Sequence, residues 1–159
     1  MSKVVGNPAG MLAIPDSPAE VRMALVRIMG AEDTGGFNYD LAVSDTEPLA
    51  VFTAPKKSIV TKIRAKREKA FATSTGGAVT VTVGDSDDID GYLTDTLVGT
   101  DTAGGDILSG NTQGAYIGGK LYEAGQDIMI QCAGGTVIDD GYLELWIEYV
   151  LVAGIDKDS

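Results

Sequence analysis

The stretch IVTKIRAKREKAF, Ile59 to Phe71, decides how the rest of the chain is read. Ile59, Thr61, Ile63 and Ala65 alternate with Lys62, Arg64 and Lys66, so a period of two separates an apolar face from a strongly basic one. That is the pattern of a β-strand lying on a core.

Working outward, the same period recurs. Upstream, PLAVFTAP is a second strand, joined through the turn at Pro55-Lys56-Lys57-Ser58, and GFNYDLAVS from Gly36 is a third. Downstream, TSTGG turns into AVTVTVG, a Thr-Val alternation of high β-propensity. AYIGGKLYE, QDIMIQCAG and GYLELWIEYVLVA supply three more strands. In the last, Leu143, Leu145, Ile147, Tyr149 and Leu151 share one face, and Tyr142, Glu144, Trp146 and Glu148 share the other. Trp146 therefore points away from the core, either under a loop or the N-terminal arm, or as an anchor in a subunit interface. Residues 94–114, rich in Gly, Thr and Asp, read as a long loop or meander with an interaction role.

Composition agrees: 44% hydrophobic residues, 6% aromatic and 21 Gly in 159 residues suit short strands and many turns. The expected fold is all-β, an antiparallel, jelly-roll-like β-sandwich over residues 36–153, with a C-terminal tail at 154–159. An extended N-terminal arm at 1–17 precedes it, whose apolar Val4, Val5, Met11, Leu12 and Ile14 have no periodic element of their own and are expected to order against another subunit. Between arm and sandwich, residues 18–35 are expected to hold a short helix and linker. Ser17 as N-cap, Pro18 at the first helical position, Glu20 closing a capping box and Gly30 as a stop favour a helix at 18–29. Val21, Met23 and Leu25 also alternate, which keeps a strand there as the competing reading.

Charge is unevenly spread. Lys56, Lys57, Lys62, Arg64, Lys66, Arg67 and Lys69, opposed only by Glu68, make 56–69 a segment of +6 in a chain of −11, leaving −17 elsewhere. Such a split suits contact between protein surfaces of opposite sign, with Lys62, Arg64 and Lys66 as candidate interface residues. It argues against nucleic acid, because the bulk of the chain repels phosphate and no exposed aromatics interleave with the basic side chains. The alternative role for the basic face is a solvated surface paired across the sheet with Glu144 and Glu148. The chain shows no apolar run of membrane-spanning length and no signal-peptide core, so no membrane partner is expected. Cys132, the lone cysteine, reads as a small buried apolar residue.

Taken in order, PLAVFTAPKKSIVTKIRAKREKAF, AVTVTVGDSDDIDGYL, AYIGGKLYEAGQDIMIQCAGG and GYLELWIEYV resemble the small structural proteins of tailed-bacteriophage virions, in particular jelly-roll-like head decoration and accessory subunits. The resemblance covers about residues 37–151; the basic stretch at 59–69 departs from it and the first 36 residues fall outside it. It implies a non-enzymatic virion protein, made in the bacterial host cytoplasm, that oligomerises and binds the major capsid protein or other virion subunits. A head-tail connector or tail component, or from another class a calcium- or sugar-binding β-sandwich module, is the alternative.

The calcium alternative rests on GDSDDIDGYLTDT, which carries five Asp between positions 85 and 95. With Gly91 at loop position 6 of an EF-hand, Asp90 and Asp88 fall at positions 5 and 3, but Ser86 stands at 1 and Leu97 at 12, where the strongest ligands belong. An irregular site on Asp85, Asp87, Asp88 and Asp90 stays open; otherwise the Asp side chains cap turn amides. No metal and no cofactor are expected. Catalysis is not expected either: the chain has no His, and no GxSxG, HExxH, Walker A or CxxC motif.

Overall fold

The structure, a computed structural model, describes residues 20–29, 48–73, 79–97, 106–107, 112–133 and 138–152. The arm residues Val4, Val5, Met11, Leu12 and Ile14 and the strand expected at GFNYDLAVS lie outside the described residues.

Two five-stranded antiparallel sheets face each other. In the first, β1 (Val21–Met29) pairs β10 (Ile138–Leu151), which pairs the long β3 (Ser58–Thr73); two short strands, β6 (Asp106–Ile107) and β8 (Lys120–Tyr122), lie along the far side of β3. The second runs β2 (Leu49–Ala54), β9 (Gln126–Ala133), β4 (Thr80–Asp85), β5 (Leu93–Leu97) and β7 (Thr112–Gln113). The pairings nest: β1 with β10, β2 with β9, β3 with β8, β4 with β5. A long antiparallel ribbon rolled on itself produces this order, and it is the jelly-roll form of the sandwich. The all-β expectation is borne out.

The helix at 18–29 is not: Val21–Met29 is a strand, in unbroken register with β10 from Val21 opposite Val150 to Met29 opposite Tyr142. The capping signals at Ser17 and Glu20 are worth about 1 kcal/mol. They lose to nine ladder positions and to the burial of Ala24, Val26 and Ile28, which stand opposite Ile147, Leu145 and Leu143 on the core side. Val21–Met29 therefore belongs to the sandwich and is not a linker.

A second correction concerns the basic strand. The pairing of β3 with β10 shifts between Lys62 opposite Glu148 and Val60 opposite Tyr149, so Thr61 is the extra residue of a β-bulge. Beyond it the faces exchange: Val60 and Ser58 are buried with Ile63 and Ala65, whereas Ile59 and Thr61 are only partly covered. Bulged Thr61 donates from Oγ1 to Glu148 Oε1 at 2.6 Å. The expected inner row Ile59, Thr61, Ile63, Ala65 is thus half right.

The core forms where the two inner faces meet. Val79, Val81 and Val83 with Ile128, Ile130 and Cys132 lie on one side, and Ile28, Val60, Ile63, Leu143, Leu145 and Ile147 on the other. Each large aliphatic side chain buried this way contributes about 1.5–3 kcal/mol. Cys132 is one of these packing residues, as expected, and burial pushes its thiol up to about 12. Phe52 of β2 and Tyr149 of β10 bridge the sheets, their ring centroids 5.6 Å apart. The expected strand AYIGGKLYE shortens to Lys120–Tyr122, and Tyr116 to Gly119 forms a turn instead. Residues 94–114, expected as a long loop or meander, carry β6, β7 and all of β5 after Leu93.

Candidate functional site: an inter-sheet clasp and a basic, apolar-edged face

The acidic loop is organised by one carboxylate. Asp85, at the end of β4, is fully buried. Its Oδ1 accepts from the backbone amides of Asp87 (2.9 Å) and Asp88 (3.2 Å), an Asx turn, and from the Tyr116 hydroxyl at 3.1 Å. Its Oδ2 accepts from Lys120 Nζ and from the Tyr122 hydroxyl, both at 2.7 Å. Tyr122 also shares a 2.9 Å hydrogen bond with the Tyr92 hydroxyl. Lys120 and Tyr122 belong to β8 in the first sheet and Asp85 to β4 in the second, so the cluster clasps the two sheets together.

Lys120 reaches this position because Gly118, with φ 94°, supplies the third residue of a type II turn in which the Gly119 amide donates to Tyr116 O at 3.0 Å. The turn folds the Tyr116 ring back under the ammonium, 4.6 Å from Nζ to the ring centroid. Lys120 also bridges to Asp87 at 2.8 Å, and Gln126 donates to Ser86 Oγ at 2.8 Å.

The electrostatics follow. Burial pushes the Asp85 carboxyl up, but hydrogen bonds from Lys120, from Tyr122 and from the amides of Asp87 and Asp88 outweigh it and hold the group below the usual carboxylate range. Burial works against the Lys120 ammonium as well, and its bonds to Asp85, Asp87 and Tyr116 overcome that, leaving it more basic than an ordinary lysine. Asp88 is raised by its hydrogen bond with Asp90. The charge that a cation would supply to Asp85 and Asp87 is supplied by Lys120, and among the described residues no cluster of acidic or sulfur side chains is arranged to hold a metal. Thermal melts in calcium and in excess chelator are therefore expected to coincide within about 2 °C; a chelator-induced fall of about 10 °C would mean that the loop takes a cation.

The second candidate is the outer face of the first sheet. Strand pairing sets its residues in rows: Met23, Glu148 and Lys62; Leu25, Trp146 and Arg64; Arg27, Glu144 and Lys66. The expected pairing of the basic strand with Glu144 and Glu148 is met in register, Lys62 opposite Glu148 and Lys66 opposite Glu144, whereas the salt bridge to Glu144 comes from β1. Arg27 Nε lies 3.7 Å from Glu144 Oε1, Tyr142 donates to the same carboxylate at 2.9 Å, and Lys66 bridges to Glu68 on its own strand. No described residue forms a salt bridge with Lys62 or Arg64. Trp146 is exposed beside Arg64 and Leu25. The structure thus gathers Lys62, Arg64, Lys66 and Trp146 on one surface. Sequence reasoning missed the clasp partners Tyr92, Tyr116, Lys120 and Tyr122; the signal it could have used was the single Lys set between two Tyr around Gly118-Gly119.

Fold and face together define a jelly-roll sandwich that presents a charged surface with an apolar edge. Among solved structures, a chain of the cyanophage Pam1 capsid asymmetric unit is similar to it, with a TM-score of 0.63 at 17% sequence identity over 94% of this chain and 99% of that one. A chain of the capsid of Ralstonia phage GP4 aligns at TM-score 0.47 and 13% identity over 91% and 92% of the two chains, too distant to add to the argument. No protein-family model and no curated protein matches the sequence. At these identities the likeness establishes the fold.

Proposed function

We propose that this is a non-enzymatic structural protein of a tailed-phage virion, a decoration subunit that binds the assembled head and stabilises it. The observation that carries the reading is the likeness of fold, over nearly the whole of both chains, to a chain of the Pam1 capsid. The outer face of the first sheet supplies the means: Lys62 and Arg64, with Lys66 and Trp146 beside them, are available to an acidic surface of the major capsid protein. A subunit that binds the assembled lattice and not its separate subunits raises lattice stability by mass action alone, without chemistry.

Co-sedimentation with shells of the same phage tests this. Replacing Lys62, Arg64 and Lys66 together by Gln is expected to weaken binding about tenfold at low salt, about 1.4 kcal/mol, and to flatten its salt dependence. The melting temperature of the free protein is expected to stay within about 2 °C, since exposed ion pairs contribute at most about 1 kcal/mol each. Unchanged affinity with an unchanged salt slope would rule out this face, and labelling confined to the tail or neck of the virion would assign the protein there instead.

A further inference from the structure

The strand β1 is an edge. It pairs β10 on one side, and no described strand lies on the other, so the backbone N–H and C=O groups of alternate residues point outward along it. Its outer face is apolar as well: Val21 is 61% exposed, Met23 55% and Leu25 43%, and the row continues onto β10 through Trp146, opposite Leu25 and 37% exposed. Natural edge strands are usually guarded by charge, proline or a bulge. Between Val21 and Leu25 none of these stands on this face, and the nearest outer charge, Arg27, is turned back onto Glu144 of its own sheet.

We propose that β1 is the seat of a two-fold interface, in which β1 of a second copy pairs antiparallel with it about Met23. Facing residues of an antiparallel pair share a face, so a two-fold axis must pass at one residue of the strand, and charge chooses which. An axis at Arg22 or Arg27 sets Arg against Arg. Axes at Ala24, Val26 and Leu25 set Arg27 opposite Val21, Leu25 and Met23 of the partner subunit respectively. Among the axes that keep both Met23 and Leu25 inside the paired strands, only Met23 matches apolar to apolar on the outer face: Val21 against Leu25 of the partner subunit, and Met23 against the partner's Met23, with Arg22 opposite Ala24 of the partner subunit on the other face. The two sheets then join into one, with an apolar band across the join that ends at Trp146 on each side and basic rows beyond. An acidic lattice would be drawn to those basic rows and not to Val21, Met23 and Leu25, so the two halves of the face serve different partners. The interface does not require the shell-binding reading and is tested without shells.

The full-length chain at about 100 µM is examined by sedimentation velocity and light scattering. A dimer is expected for the wild type, and Val21→Lys/Leu25→Lys, both at exposed positions, should raise its dissociation constant at least about 30-fold while the circular dichroism spectrum stays that of the folded protein. Met23→Cys should cross-link into a covalent dimer under mild oxidation, since directly facing residues lie about 4.5–5.5 Å apart, within disulfide reach, and the native Cys132 is buried. Arg27→Cys, off the axis, should cross-link far more slowly. A wild-type monomer, a trimer, or equal rates for the two cysteine variants would overturn the proposal and leave shell binding to stand or fall by its own test.

Discussion

Asp85→Ala is expected to lower the melting temperature by about 10 °C. The carboxylate is fully buried and accepts from five donors, the Lys120 ammonium, the Tyr116 and Tyr122 hydroxyls and the amides of Asp87 and Asp88. Breaking a buried, hydrogen-bonded ion pair by removing one partner costs about 3–5 kcal/mol. Lys120 is partly exposed and keeps Asp87, which puts the expectation near the lower bound, about 3 kcal/mol, or about 6–12 °C for a chain of this size. The pH profile distinguishes this from a general loss of packing. The folded-state value of Asp85 lies below its ordinary 3.8, so its share of stability is present above about pH 4 and is lost as pH falls through the lower, folded value. Lys120 is raised above its ordinary 10.5, so its share is fully present below that pH and is lost only as pH rises through the higher, folded value. The wild type should therefore lose stability on acidification below about pH 4, whereas Asp85→Asn, already without the charge, should show a flatter acid limb. Parallel acid limbs in the two proteins would contradict the clasp.

Gly84→Ala should be nearly as damaging, for a reason of space. A Cβ there would lie 1.9 Å from the Asp88 carbonyl oxygen and 2.4 Å from the Ile89 carbonyl carbon, both backbone atoms. The Asp88 oxygen is itself held, accepting from the amides of Asp85 at 3.0 Å and Gly91 at 3.1 Å, so the loop cannot yield without breaking the turn that aims Asp85. A loss of about 3 kcal/mol is expected, within the range of severe backbone and overpacking substitutions. Gly125→Ala is the control: its Cβ would meet nothing nearer than the Ala54 carbonyl oxygen at 3.6 Å, and stability should change by less than about 1 kcal/mol. Equal losses in the two variants would show that the loop accommodates a side chain.

The acidic loop shows how a site can be half legible. Five Asp within eleven residues marked the segment, and the failed EF-hand positions weakened the calcium reading, yet the group that neutralises Asp85 lies 35 residues away on another sheet. No local pattern announces such a partner. The basic strand is similar: its charge was plain, but whether each cation faced Glu144, Glu148 or solvent depended on the register with β10 and on the bulge at Thr61, which sends Glu148 to a hydroxyl and leaves Lys62 and Arg64 outward.

The sequence by itself determined the strands whose faces are set locally. Val79, Val81 and Val83, Ile128, Ile130 and Cys132, and Leu143, Leu145 and Ile147 are buried where their alternation places them, because the pleat of a strand sends every second side chain to the same side whatever its neighbours are. Tertiary structure alone decided the rest. Val21–Met29 carries both helical caps and strand alternation, and only the ladder with β10, more than a hundred residues further along, resolves the conflict in favour of the strand. The nested pairing that makes the sandwich a jelly roll, the closure of Lys120 over Asp85 and the exposure of an apolar edge at β1 likewise arise from contacts between segments far apart in the chain, whose free energy belongs to the packed pair and to neither segment alone.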